Sequence, residues 1–155
     1  MSHDLDTDTA DGTYVIVIAT DLSPASTPAL AEALRLASAV RDPVLHFVHA
    51  APAGTTRAVL VEMKKRMIRE LEARAAELDL PVPRNHLVHV EAGSPKEVVL
   101  GIAHDAGADL LVLGTRFDSQ EERARFDSVS EELLHAAPCS VLVVNGRRAA
   151  KDRRG

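Results

Sequence analysis

The chain of 155 residues has one cysteine, no tryptophan, one tyrosine and three phenylalanines. With Cys139 alone, no intrachain disulfide forms and nothing points to an oxidising compartment; its ordinary role is that of a small buried hydrophobe. Four aromatic rings, those of Tyr14, Phe47, Phe117 and Phe126, provide no stacking platform for single-stranded nucleic acid. An excess of positive charge is also missing. The formal net charge is -5 and charged residues of both signs make up 26% of the chain, the balance of a solvated globular surface and not of a nucleic-acid or membrane binder. No apolar run approaches the roughly 18 residues of a membrane span. The opening MSHDLDTDTADG is acidic where a secretory leader would be basic. The expectation is a cytoplasmic protein with no membrane or nucleic-acid partner.

Apolar residues make up 46% of the chain, enough at this length for one well-buried core and too little for two ordinary domains. Residues 1–12 carry Asp4, Asp6, Asp8 and Asp11 with almost nothing apolar, and read as a disordered acidic tail. Residues 13–146 read as the folded domain. Residues 147–155, RRAAKDRRG, reverse the sign and read as a basic tail.

Within the domain, short apolar runs alternate with longer stretches of helical period, which predicts an α/β fold. YVIVIAT from Tyr14 is a continuous apolar run with no polar face, as in a central parallel strand covered on both sides. SPASTPALAEALRLASAV then reads as a helix, with Pro24 and Pro28 tolerable only in a first turn. PVLHFVHA is a second strand. Residues from about Thr56 to Leu80 form the longest helix, with Glu62 and Arg66, and Glu70 and Arg74, spaced to pair on its wet side. NHLVHVEA is a third strand, and Ser94, Pro95 and Glu97 make a helix start in which Ser caps and Glu answers back. That helix runs to Ala106 and stops at Gly107. ADLLVLGT, a polar loop, the short helix SVSEELLHAA and the strand CSVLVV complete five strands and four helices. Ligands of such sheets bind at the carboxyl ends of the strands, which here hold Asp21, His49, Glu91 and Gly114.

From about Tyr14 to Val144 the chain resembles the universal stress protein family. VIATDLSPAS resembles the family's first strand and helix start, LHFVHA its second strand, and ADLLVLGT with SVSEELLHAAPCSVLVV its last third. The resemblance implies a three-layer sandwich, a five-stranded parallel sheet of order 3-2-1-4-5 with four helices, of the adenine nucleotide alpha hydrolase-like kind. It also implies that nucleotide-binding members place adenosine phosphates over the loop after strand four. Their signature is Gly, two residues, Gly, nine residues, Gly, then Ser or Thr. Gly114 and Ser128 match its ends, but Phe117 and Asp127 replace the inner glycines. Glycine matters there because a backbone without Cβ approaches phosphate closely and turns its amides onto the oxygens. Asp127, just before a helix N-terminus, places a carboxylate where phosphate would sit; one such charge about 4 Å away costs about 4 kcal/mol at an effective dielectric of about 20, roughly a thousandfold in affinity. Triphosphate binding is therefore expected to be weak or lost, with no cofactor; the alternative is an ATP or AMP sensor, with or without Mg, using a modified loop. If the site is retained, the resemblance implies Thr20, Asp21, Phe47, Gly114, Thr115, Arg116, Ser128 and Val129 around the nucleotide. Three of these have a second reading, the first two being Asp21 as a turn or helix cap and Phe47 in the core. Ser128 is also placed to cap a helix, three residues before Glu131.

No arrangement marks an enzyme. There is no GxSxG elbow and no GxxxxGK[ST], and a response regulator's paired acids are missing after strand one. Seven histidines raise the question of a metal, but residues three apart on a strand face opposite ways, which splits His46 from His49 and His86 from His89. At best His49, His89 and Glu91 meet near the strand ends; no metal is expected. Val141, Leu142, Val143 and Val144 on the last strand form an apolar edge, which in family members pairs with its copy, so a homodimer is expected, with any further protein partner unspecified.

Overall fold

A computed structural model describes residues 12–115 and 131–145. Five parallel strands form one sheet in the order β3-β2-β1-β4-β5. They are β1 (Tyr14–Ala19), β2 (Pro43–Ala51), β3 (Asn85–Ala92), β4 (Leu110–Thr115) and β5 (Ser140–Asn145). The helices are α1 (Thr27–Ala39), α2 (Arg57–Leu78), α3 (Pro95–Ala106) and α4, whose described helical residues are 131–136.

Strand parity sorts the core into two layers. Ile16, Ile18, Leu45, Phe47, Val88 and Val112 face α1 and α2, meeting Leu30 and Leu34 of the first helix and Met67 and Leu71 of the second. On the opposite side Val17, Val48, Leu111 and Leu113 meet Val98, Val99 and Ile102 of α3 and Leu133 of α4. The continuous apolar runs of β1 and β4 follow from this double covering. Cys139 packs at the margin of the second layer, and burial, with the Asp109 carboxylate adding to it, pushes its thiol pKa up. It stays a thiol.

The stretch read as one helix from Ser23 is in fact two pieces, a 3-10 turn at Pro24–Ser26 and then α1, with a proline starting each. Neither proline has an N–H, so each fits only a first turn. β4 begins at Leu110, two residues later than the apolar pattern implied; Asp109 just before it joins β1 twice, its amide donating to the Val15 carbonyl and its carboxylate accepting from the Val15 amide, each at 2.8 Å. Thr56 caps α2, accepting from the Val59 amide. Ser94 occupies the N-cap of α3, but its side chain makes no capping hydrogen bond, contrary to expectation; Pro95 supplies the helix start. α3 ends at Gly107, whose left-handed φ of 66° closes the turn, and α2 ends at Asp79 in the same conformation, φ 56°. On α2 the expected i, i+4 pairs are replaced. Glu62 pairs with Lys65 and Arg74 with Glu77, each three residues apart. Arg66 instead reaches across to the turn after β1, donating to the Leu22 carbonyl at 3.1 Å.

Candidate functional site

The connection from β1 leads to β2 on one side, while that from β3 returns to β4 on the other. Between these diverging connections a parallel sheet leaves a crevice at its carboxyl end. A cavity of about 190 Å³ lies there, lined by Ala19, Thr20, Asp21, Ser26, Ala50, Pro95, Val99, Leu113, Gly114 and Leu133. Most of these are small or apolar. Among them Asp21 is the only charged group.

The turn Thr20–Ser23 determines what the rim of the cavity offers. The Thr20 amide donates to the Val48 carbonyl at 2.9 Å, the Asp21 amide to Ser26 Oγ at 3.3 Å, the Leu22 amide to Thr20 Oγ1 at 2.9 Å, and the Ser23 amide to Asp21 Oδ1 at 2.9 Å. Ser26 Oγ also donates to Asp21 Oδ1, at 2.8 Å. Every amide from Thr20 to Ser23 is thus consumed, that of Thr20 by β2 and the others inside the turn, leaving none there for a phosphate oxygen. Burial pulls the Asp21 pKa up, and the hydrogen bonds from Ser23 and Ser26 outweigh it, so the carboxyl is held below its usual 3.8 and stays ionised at neutral pH. This rim accepts hydrogen bonds; it suits the hydroxyl and amino donors of a nucleoside better than a phosphate chain.

The turn is held from behind as well. Leu22 has a left-handed φ of 65°, strained for a branched side chain by about 1 kcal/mol. Arg66 of α2 fixes its carbonyl, and His49, almost fully buried, donates from Nδ1 to the Thr20 carbonyl at 2.9 Å. His49 therefore braces the site and is not a metal ligand beside Glu91. The histidine that meets His89 is His46, with Nδ1 and Nε2 2.8 Å apart. The ring centroids are 5.1 Å apart and the planes 13° from parallel, so the rings lie end to end, joined by an N–H···N hydrogen bond. Among the described residues no group of three His, Cys, Asp or Glu side chains could hold a metal ion.

Of the residues expected around a nucleotide, Thr20, Asp21 and Gly114 meet in the cavity. Phe47 does not join them. Its position on β2 has the parity of Leu45, so its ring lies 1% exposed in the layer beneath α1 and α2, on the far side of the sheet from α3. The strand-two residue that reaches the cavity is Ala50. Asp21 does serve as the turn cap of its second reading, while its carboxylate also lines the cavity. Thr115 ends β4; Arg116, Phe117, Asp127, Ser128 and Val129 lie outside the described residues. Pro95, Val99 and Leu133 were not anticipated; the first two sit one turn apart on α3, a spacing that was available to find them.

A family model described as the universal stress protein family matches residues 14–145. A Staphylococcus epidermidis protein carrying the universal stress protein name is 40% identical over 70 residues, 44% of this chain and 42% of its own length; the chain's match thus spans about two fifths of that curated relative. Among solved structures, a universal stress protein in complex with cAMP has a TM-score of 0.65 at 21% identity, over 86% of this chain and 97% of that one. The universal stress protein from Archaeoglobus fulgidus in complex with dAMP has a TM-score of 0.60 at 21% identity, over 85% and 98%. The two structural likenesses establish the shared fold. With the family model covering the whole described sheet, the chain belongs to the universal stress protein family.

Proposed function

We propose that this chain is a non-catalytic regulatory protein of the stress response, acting in the cytoplasm as a homodimer, with an altered nucleotide site that binds ATP weakly or not at all. The observation that carries this reading is the charge of the cavity. Its described lining brings one ionised carboxylate, no cation and no free turn amide, and the sequence beyond Gly114 replaces two signature glycines with Phe117 and Asp127. At about 190 Å³ the cavity also falls below the roughly 300–1,000 Å³ of sites that enclose drug-sized ligands.

Calorimetric titration is the test. Adenosine is expected to bind more tightly than ATP with magnesium by tenfold or more (on the order of 1.4 kcal/mol), and no phosphate release from ATP is expected. Micromolar affinity for ATP with magnesium overturns the reading, and steady ATP hydrolysis overturns its non-catalytic part. The second reading, an adenine-nucleotide sensor with a modified phosphate contact, draws support from the relatives solved with cAMP and dAMP. Protection of the amides of residues 116–127 from exchange when AMP is added favours it; indifference of those amides favours the first.

A further inference from the structure

The far edge of the sheet carries a second surface. Among the described residues β3 pairs only with β2, in register at all eight positions from Asn85 to Ala92, so half of its backbone N–H and C=O groups point outward with no described strand beside them. Natural edges are usually guarded by proline, a bulge or a charge pointing inward. β3 has no proline and no residue with a positive φ, and the exposed Leu87 stands at its centre. Alongside this edge runs a groove of about 270 Å³, walled by Arg57, Leu60, Val61 and Lys64 of α2 and by Val88 to Glu91 of β3. Its lining mixes apolar with charged groups, and Val61, itself 46% exposed, is part of the apolar share. Arg57 and Lys64 make no ion pair among the described residues. They lie two helical turns apart, about 10.5 Å along the axis, and their long side chains span the further few ångströms to carboxylates four residues apart, about 13 Å, on one face of an extended chain.

We propose that this edge and groove bind an extended acidic segment of a partner protein by strand addition. The segment's backbone completes the open ladder of β3. Its alternate side chains point toward α2, where carboxylates meet Arg57 and Lys64 and apolar residues between the sheet and the helix rest on Val61 and Val88. Glu91, at the end of the groove, sets the register by excluding an acid there. His89 contributes no charge to the choice, since burial lowers its pKa below 6.5 with Lys64 adding to the effect against the opposing pull of Glu91.

The probe is a fluorescein-labelled octapeptide, Asp-Ser-Val-Ser repeated, which sets Asp and Val in turn on one face of the strand; binding of this Asp-Val peptide is followed by anisotropy against the full chain. Binding is expected to weaken with salt, to fall by about tenfold or more in the Arg57→Glu, Lys64→Glu double variant, and to be absent for the Lys-Val counterpart. Amide exchange should show new protection on alternate residues of 85–92. The proposal fails if the peptide does not bind, if the charge reversal leaves its affinity unchanged, or if protection appears on β5 instead. Two results reassign the groove and also overturn the proposal. A tenfold gain in peptide binding on removal of residues 1–11 makes the chain's own acidic segment the occupant. Leu87→Lys must not convert a dimer to a monomer, since that change would make it a second copy.

Discussion

At the scale of single residues, Asp21 does two separable jobs. Its Oδ1 anchors the turn by accepting from the Ser23 amide and Ser26 Oγ, and its charge gives the cavity its sign. Asp21→Asn keeps an acceptor oxygen and removes the charge; Asp21→Ala removes both. The alanine variant is expected to lose about 1 kcal/mol of stability to urea at pH 7, and the asparagine variant distinctly less. A carboxyl whose folded pKa is depressed contributes stability that is complete above its unfolded value and is lost as pH falls through the folded value. The asparagine variant should therefore flatten the acid limb of the stability profile below about pH 4. Equal profiles for the variant and the parent would disprove the role of the charge. The His46–His89 pair acts in a different window. Burial lowers both pKa values, with the mutual repulsion of the two rings adding to it for His46. The unfolded chain then takes up protons first, so stability declines as pH falls below about 6.5, until the folded pair titrates as well. His89→Gln is expected to shrink that decline, read as the urea midpoint between pH 7 and pH 5. An unchanged midpoint difference would dismiss the pair as a titrating unit.

At the scale of elements, α2 and α3 end in the same left-handed conformation with different residues. Gly107 closes α3 with open space where a Cβ would go, so Gly107→Ala tests conformational strain alone and should lose about 1 kcal/mol. Asp79 closes α2 with a side chain in the strained region and a negative charge at the negative end of the helix dipole. Asp79→Gly should raise stability by about 0.5 kcal/mol, measured by urea unfolding; a loss would show that the side chain supports the cap. The end of α3 was legible because glycine after an apolar stripe is a stop signal. The strands were legible because two-sided burial leaves an unbroken run of apolar residues. The site was legible in part for the same reason: Thr20, Asp21 and Gly114 end strands, and strand ends converge. Of the two readings of Phe47, adenine contact or core, the structure bears out the core; the choice was not legible because it depends on strand parity relative to the helices, which a short apolar run does not display. The split of His46 from His49 was legible, but the meeting of His46 with His89 depends on the register of two strands separated by a helix.

At the scale of the whole molecule, an open sheet has two edges, and they differ. β3 is long and flanked by cations; β5 is short and apolar. On β5, Leu142 and Val144 pack toward the first core layer and Val141 toward the second, which leaves Val143, 37% exposed, as the apolar side chain facing outward. Leu134 of the neighbouring α4 is 50% exposed. One valine is ordinary surface; a valine on an open strand edge next to an exposed leucine is a self-complementary patch, since a two-fold axis through β5 sets both against their copies and completes both ladders at once. A lysine at that point is the guard that natural edges use, and it repels its own copy across the axis. Val143→Lys is therefore expected to turn a dimer into a monomer at tens of micromolar by light scattering, while urea unfolding at low concentration changes little because the side chain is not in the core. A parent chain that is already monomeric, or a variant that remains dimeric, rejects β5 as the interface. Because β3 lies at the opposite edge, the same variant should still bind the Asp-Val peptide, which separates self-association at one edge from partner capture at the other.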